Sequence, residues 1–400
     1  MHKNNLGLPS EVRFCNNCVI SNQRPSSTIE FKHSASDKKE TIHIGDDGIC
    51  DACKYNVIKS NEIDWAQREN ELLELCNRYR RPHGYDVVVP GSGGKDSAYT
   101  AHVLKYKYGM NPLTVTWAPH MYTDIGWKNF TNWMHVGGLD NLLYTPNGKL
   151  HRRLTRDAFI NLLHPFQPFI VGQRLIGPKF ARKFGIDLVM YGENQAEYGN
   201  NINDNTEPTM STDYFYNDLS ESVRLGGKSI LEYTDETEFS FNDFEPYLPM
   251  PEDSSHKQDV HYLGYYLQWD PQECYYYAVE QTGFEANTQR TEGSFSKYSS
   301  IDDKIDPFHY YTTLIKFGIG RATYDAAQEI RNGKITRQEG VGLVTKFDQE
   351  FPRRFYSEFL DYINITSTQF KEIIDSHRSA HLWEKISGEW KLKFQVTDLD

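Results

Sequence analysis

The sequence predicts an α/β protein: a doubly wound parallel sheet, preceded by a cysteine-bearing segment and followed by a mainly helical carboxyl-terminal region. Three observations carry that prediction. Between Val87 and Tyr191, short apolar runs alternate with helical patterns at the spacing of right-handed βαβ crossovers. A glycine-dominated loop separates the first such run from the first such helix, and two C-x2-C pairs lie ahead of the sheet. The 400 residues suggest two or three domains, and 38% hydrophobic with 24% charged residues is the balance of a soluble chain with a real core. No stretch approaches the length of a membrane span, and the first residues hold no apolar region of signal-peptide type, so a cytoplasmic location is expected.

The amino-terminal segment, 1–60, contains Cys15-Asn16-Asn17-Cys18 and Cys50-Asp51-Ala52-Cys53. In a reducing compartment such pairs bind metal rather than form disulfides, and four thiolates suit tetrahedral, structural Zn²⁺. An iron–sulfur cluster and a redox dithiol are the rival chemistries. Residues 28–31 and 41–44 alternate like short strands, and Gly45-Asp46-Asp47-Gly48 is a turn before the second pair, so a zinc-ribbon-like unit is expected. His33 and His43 are spare ligands or surface residues. Cys76 and Cys274 each stand alone and are expected to be buried thiols. Residues 61–82 read as a linking helix, with Trp65, Leu72, Leu75 and Cys76 among many charges.

The core is expected over 83–202, with strands at 87–89, 113–117, 141–144 and 187–191 and helices between them. The helix of 170–184 is expected to break or start near Gly172 and Pro178. Ligands of such sheets bind outside the carboxyl ends of the strands. Three places therefore matter. The first is the loop Ser92-Gly93-Gly94-Lys95-Asp96-Ser97. The second is the end of the second strand at Thr116 and Trp117. The third is the turn holding Gly192, Glu193 and Glu197. Glu193 or Glu197 could bind a metal, orient an attacking amine or act as a base, or simply cap neighbouring backbone. Gly172-Gln173-Arg174, near a helix start, is a further candidate contact.

Strand, glycine loop and helix N-terminus together make a phosphate cradle, because the backbone comes close and free N–H groups point at the anion. The loop is not a Walker A motif: Lys95 is followed by Asp96, and Val89 stands where the first glycine should be. Ser-Gly-Gly-Lys-Asp-Ser instead resembles the pyrophosphatase loop (PP-loop) of ATP enzymes that form an adenylate and release pyrophosphate. The resemblance implies that Ser92, Gly93, Gly94 and Ser97 cradle the β,γ-phosphates, that Asp96 helps hold Mg²⁺, and that Lys95 adds positive charge.

Four longer strings sharpen the resemblance: residues 126–130 (GWKNF), 151–156 (HRRLTR), 165–173 (PFQPFIVGQ) and 191–199 (YGENQAEYG). With the cysteine pairs and the loop they look like the N-acetyl sugar amidotransferases of bacterial surface-polysaccharide and flagellin-sugar pathways, over nearly the whole span from Cys15 to about Phe351. That family implies an AMP-forming ligase. It would convert an acetamido group of an N-acetylated nucleotide sugar to an acetamidino group, through an adenylated imidate. It also implies ammonia from a separate glutaminase subunit, with a cyclase-like partner as a further option. This chain has no obvious glutaminase domain, since His2 follows Met1 and no cysteine sits in a G-x-C-x-G elbow.

Residues 203–255 form an acidic insertion of poor periodicity, expected to pass over the active site or to meet the glutaminase. Across 256–400, Asp270 and Pro271 start a helix, and further helices are expected at 308–319, 323–331, 336–347 and 367–386. Lys316-Phe317-Gly318-Ile319-Gly320-Arg321 could bring Lys316 and Arg321 to pyrophosphate or to an anionic group of the sugar, or could be a tight helix crossing. Lys and Arg number 43 against 55 Asp and Glu, a net −12, which opposes nonspecific nucleic-acid binding. That charge weighs against the main rival, a PP-loop tRNA thiolation enzyme with a zinc ribbon. A non-catalytic zinc-ribbon assembly protein is the rival from another class, and the intact loop weighs against it.

Overall fold

The computed structural model describes residues 6–26, 34, 37–199, 207–217, 223–252 and 257–399. Five parallel strands form the central sheet: β1 (Val87–Pro90), β2 (Pro112–Trp117), β3 (Asp140–Tyr144), β4 (Leu188–Tyr191) and β5 (Asp259–Tyr262), in the order β3-β2-β1-β4-β5. Val88 stands opposite both Leu113 and Val189. Successive β1 side chains point to opposite faces, and both faces are covered. Val87 and Val89 join a core with Ala98, Ala101 and Leu104 of α3 (Lys95–Tyr106), and with Cys274 and Ala278 of a later helix. Val88 and Val115 join the other core with Val171 and Leu175 of α6 (Gln167–Lys183). This is the doubly wound arrangement the sequence predicts.

The remaining core helices are α4 (Asp124–His135) and α5 (Gly148–Leu162). The α6 helix runs unbroken from Gln167 and takes Pro178 into its interior, so it neither breaks nor starts at Gly172. The fifth strand, from beyond the acidic insertion, is a difference from the four-strand expectation. Asp-Val-His-Tyr is short and half polar, and only its pairing with Leu188–Tyr191 makes it a strand.

The cysteine segment also differs in detail. Residues 28–31 lie outside the described residues. Residues 41–44 make isolated bridges, Pro25 to Thr41 and Ile44 to Cys50, rather than a ladder. The second pair runs straight into α1 (Asp51–Asn61), and Asp64 then caps α2 (Trp65–Tyr79) by accepting from the N–H groups of Ala66 and Gln67.

The described part of the insertion does not lie over the site. It wraps α5 and α6: Gly226 N–H donates to Gln167 Oε1 at 2.9 Å, and His151 Nδ1 meets the Tyr247 hydroxyl at 2.9 Å. Apolar residues among its charges, Phe244, Tyr247 and Leu248, are buried there.

The carboxyl-terminal helices are α7 (Pro271–Thr282), α8 (Asp306–Phe317), α9 (Arg321–Arg331), α10 (Arg337–Phe347), α11 (Tyr356–Ile363) and α12 (Ser367–His377). The last is shorter than expected. Trp383–Ile386 pairs with Glu389–Leu392 as a hairpin, and its turn has Ser387 and Gly388 at φ 53° and 86°. Positive φ at both central positions is the turn whose twist suits a hairpin. Among the described residues no helix is long and apolar enough to cross a membrane.

Candidate functional site: a three-part cleft over the carboxyl end of the sheet

The chain order reverses between β1 and β4, so the loops after these two strands open away from each other and leave a crevice. The loop after β1 supplies residues 91–94. Gly93 sits at φ 81°, and a Cβ there would lie 2.9 Å from the Phe130 Cα, so both conformation and space demand glycine. Gly94 is the N-cap of α3 and gives no side-chain cap, which leaves the first-turn N–H groups to an anion. The Ser97 hydroxyl donates to the Gly94 carbonyl at 3.1 Å.

Ser92, Gly93, Gly94, Lys95 and Asp96 line the loop chamber together with Asp302, Asp306 and Arg321. The ammonium of Lys95 lies 2.7 and 2.6 Å from the two carboxylate oxygens of Asp96. Burial pulls the Lys95 ammonium down, but Asp96 outweighs that and holds it charged, above its ordinary value. Asp302 and Asp306 were not identified from sequence. Burial raises both, and Asp306, the first residue of α8, is pushed up to about 7 despite Arg321. The signal was present as the spacing Asp302-Asp303-Lys304-Ile305-Asp306, but only the chain crossing brings it to the loop. Asp303 of that string is used elsewhere, 2.8 Å from His120 Nδ1 in the core.

A central chamber adjoins, sharing Lys95, Asp96, Tyr298, Ser299 and Arg321 with the first. It receives Glu193 from the loop after β4. The Tyr198 hydroxyl and the Gln328 amide, the latter at 3.1 Å, both donate to the Glu193 carboxylate. Burial first and the Asp96 charge second push the Glu193 carboxyl up to about 7, against the pull of Lys95 and the Tyr198 hydrogen bond. It is therefore poised between proton donor and acceptor at neutral pH. Arg321, at the first turn of α9, is braced by Asp325 at 2.9 Å and by the Tyr310 hydroxyl, so its guanidinium is held at the junction of the two chambers.

The other expected residues are placed as follows. Glu197 is buried, 2.7 Å from Lys59, and lines no chamber. The pair ties α1 to the loop after β4. Removing one member would leave the other charge stranded, so Glu197→Ala is expected to cost about 3–5 kcal/mol of stability by denaturant unfolding. A loss below about 1 kcal/mol would remove that role. Thr116 and Trp117 are buried under α6, where Trp117 fills the space a Gly172 side chain would need. Gly192 passes tightly against Thr100 and Trp269. These four position backbone and do not line the chambers. Gln173, Arg174 and Lys316 line a third chamber, which joins the central one at Arg24, Tyr198, Tyr310 and Tyr324.

The sulfurs of Cys15, Cys18, Cys50 and Cys53 are buried and lie within 4.8 Å of one another. The Cys15–Cys53 and Cys18–Cys50 separations are 3.9 and 3.7 Å. The backbone N–H groups of Asn17, Cys18 and Cys50 point at the Cys15 sulfur, at 3.3–3.5 Å, as they would towards a thiolate. The donor set fits a metal ion. Its surroundings form one wall of the central chamber, through Ile20, Arg24, Ile42 and Ala52. Gly199, at φ 72°, lets the loop after β4 press onto this wall, since a Cβ there would meet the Ala52 nitrogen at 2.8 Å.

Residues 292–396, about a quarter of the chain, match the family model for the LPS biosynthesis protein WbpG-like, C-terminal domain. No curated protein matches. Among solved structures the U34-tRNA thiolase NcsA from Methanococcus maripaludis, with its 4Fe-4S cluster, is similar at 11% identity, covering 83% of this chain and 88% of that one. Its TM-score is 0.28, too low to argue from. The matched span contains Asp302, Asp306, Arg321 and Gln328, which line the loop and central chambers. Over these residues the chain is similar to the WbpG-like LPS biosynthesis proteins, and that similarity supports the resemblance to the N-acetyl sugar amidotransferase family.

Proposed function

We propose that the protein is an ATP-dependent amidotransferase that turns the acetamido group of an N-acetylated nucleotide sugar into an acetamidino group. The observation that carries this reading is the placement of Glu193 beside Lys95, Asp96 and Arg321 in a chamber continuous with the phosphate loop. An amide oxygen is a poor leaving group. Its attack on the α-phosphorus of ATP breaks the α–β bond, forms an O-adenylyl imidate and releases pyrophosphate. Ammonia then adds to the imidate carbon, and AMP leaves with the former amide oxygen. The loop N–H groups, Lys95 and Arg321 stabilise the departing pyrophosphate. Asp96, Asp302 and Asp306 would hold Mg²⁺, which when bound neutralises phosphate charge. Glu193 accepts the proton that the amide or the attacking ammonia must lose. Passing that proton on to the amidine nitrogen makes the amidinium and restores the Glu193 carboxylate, whose charge favours the cationic product.

The four thiols are read as a structural zinc site. Four sulfurs at about 2.3 Å from one tetrahedral ion stand about 3.8 Å apart, the spacing of the Cys15–Cys53 and Cys18–Cys50 pairs here. A four-iron cluster carries its thiolates on separate metal ions and needs them farther apart. A thiolation enzyme would need a reactive thiol near the loop. The thiol there, Cys274, is 2% exposed, and burial with the Asp96 charge pushes it well above its ordinary value, the reverse of activation.

The test is AMP formation from ATP with ammonium and a panel of N-acetylated nucleotide sugars, run beside tRNA with a sulfur donor. AMP that requires both sugar and ammonium is expected. AMP that requires tRNA instead would overturn the reading. Glutamine is expected to replace ammonium only when a glutaminase subunit is added.

A further inference from the structure

The third chamber is the one the phosphate loop leaves unexplained. Its volume is about 400 Å³, against about 240 Å³ for the loop chamber, and it is large enough for a nucleotide-sized ligand. In a chain of net charge −12, its described lining contains Arg24, Lys39, Arg174 and Lys316 and the imidazoles of His164 and His309. The cations come from three separate parts of the chain: the segment between the cysteine pairs, which supplies Arg24 and Lys39, then α6 and α8. Convergence from such distant positions is not the solvated face of one helix. Lys316 is 8% exposed, its ammonium 3.1 Å from the Leu162 carbonyl, and the Arg174 guanidinium is braced over the Tyr191 ring at 5.4 Å from the centroid. The boundary with the central chamber is aromatic: the Arg24 guanidinium lies between the Tyr198 and Tyr324 rings, at 5.5 and 5.4 Å from their centroids. Tyr198 is also the residue that donates to Glu193. A ligand whose anionic part sits among these cations therefore has its far end at Glu193.

We infer that this third chamber binds the nucleoside diphosphate part of the acceptor, with Arg174 and Lys316 on its phosphates, while ATP occupies the loop chamber on the other side of Glu193. The inference rests on the nucleotide-sugar reading and gives that substrate a place and a direction. Arginine and lysine suit a diphosphate, by bidentate and point-charge contact respectively, and the tyrosines at the boundary offer faces for base or sugar. A chamber of this size in an acidic protein favours a small diphosphate over a polynucleotide.

The test is calorimetric binding of UDP, GDP and dTDP, with inorganic pyrophosphate and tRNA as further arms. All are measured on the full chain saturated with magnesium and the non-hydrolysable ATP analogue AMPCPP. One nucleoside diphosphate is expected to bind alongside the analogue, one per chain. Arg174→Glu should weaken it at least tenfold while the analogue binds as before. Lys39→Glu, at the partly exposed rim, is expected to weaken it in the same direction and covers the case in which the α6 variant fails to fold. Three results would overturn the inference: no nucleoside diphosphate binding, binding abolished by AMPCPP, or additive binding by pyrophosphate or tRNA alone. The amidotransferase reading fails separately, through AMP formation that ignores sugar and ammonium, and the binding result stands or falls without it.

Discussion

Glu193→Gln is expected to lower kcat by about 10²–10⁴-fold and to leave ATP binding unchanged, because this side chain does not line the loop chamber proposed to hold the phosphates. Glutamine keeps the size and the hydrogen-bonding shape of the residue but cannot accept a proton. The pH profile supplies a readout that a packing role would not move. The Glu193 carboxyl lies at about 7, raised chiefly by burial and then by Asp96. Only its ionised form is a base, so kcat/KM should rise through pH 7 and flatten above it, and this limb should vanish in the Gln variant. Tyr198→Phe removes a hydrogen bond that favours the ionised form, so it should move the limb to higher pH. Unchanged turnover in Glu193→Gln would exclude the residue from the chemistry.

Cys18→Ser is expected to cost the protein its metal and much of its stability. A structural zinc in a small tetrathiolate site contributes on the order of 10 kcal/mol to the segment it organises. Here that segment is also a wall of the central chamber, through Arg24, Ile42 and Ala52, and it is joined to the loop after β4 by the buried Lys59–Glu197 pair. Loss of the metal should therefore remove acceptor-dependent AMP formation together with thermal stability, rather than melt a separate module. Elemental analysis should give one zinc per chain in the parent and close to none in the variant. Iron with sulfide-type absorbance in the parent would replace zinc with a cluster. A metal-free variant with undiminished activity and Tm would show that the segment takes no part in the cleft.

What was legible in the sequence was whatever local chemistry dictates. The β-branched run, the glycine loop and the helix start specify a strand, a phosphate cradle and α3, since φ > 0 at Gly93 and a close approach to Phe130 admit no other residue. The cysteine pairs specify their own cluster. Asp270 with Pro271, and Thr336 with Glu339, specify helix starts at the positions observed.

The tertiary structure alone decided which of several plausible polar residues line the cleft. Glu193 and Glu197 lie four apart in one turn and look alike in sequence. One faces the cleft beside Asp96, and the other is neutralised by Lys59, 138 residues away. Asp302, Asp306 and the four scattered cations of the third chamber carry no local pattern, because their common feature is a place in space set by chain crossings. The fifth strand is a strand only because Leu188–Tyr191 offers it an edge. Short-range constraints of backbone conformation and capping are written residue by residue. The pairing of charges across long sequence separations depends on how the whole chain packs, and for this protein that pairing separates a carboxylate that faces the cleft from a structural ion pair.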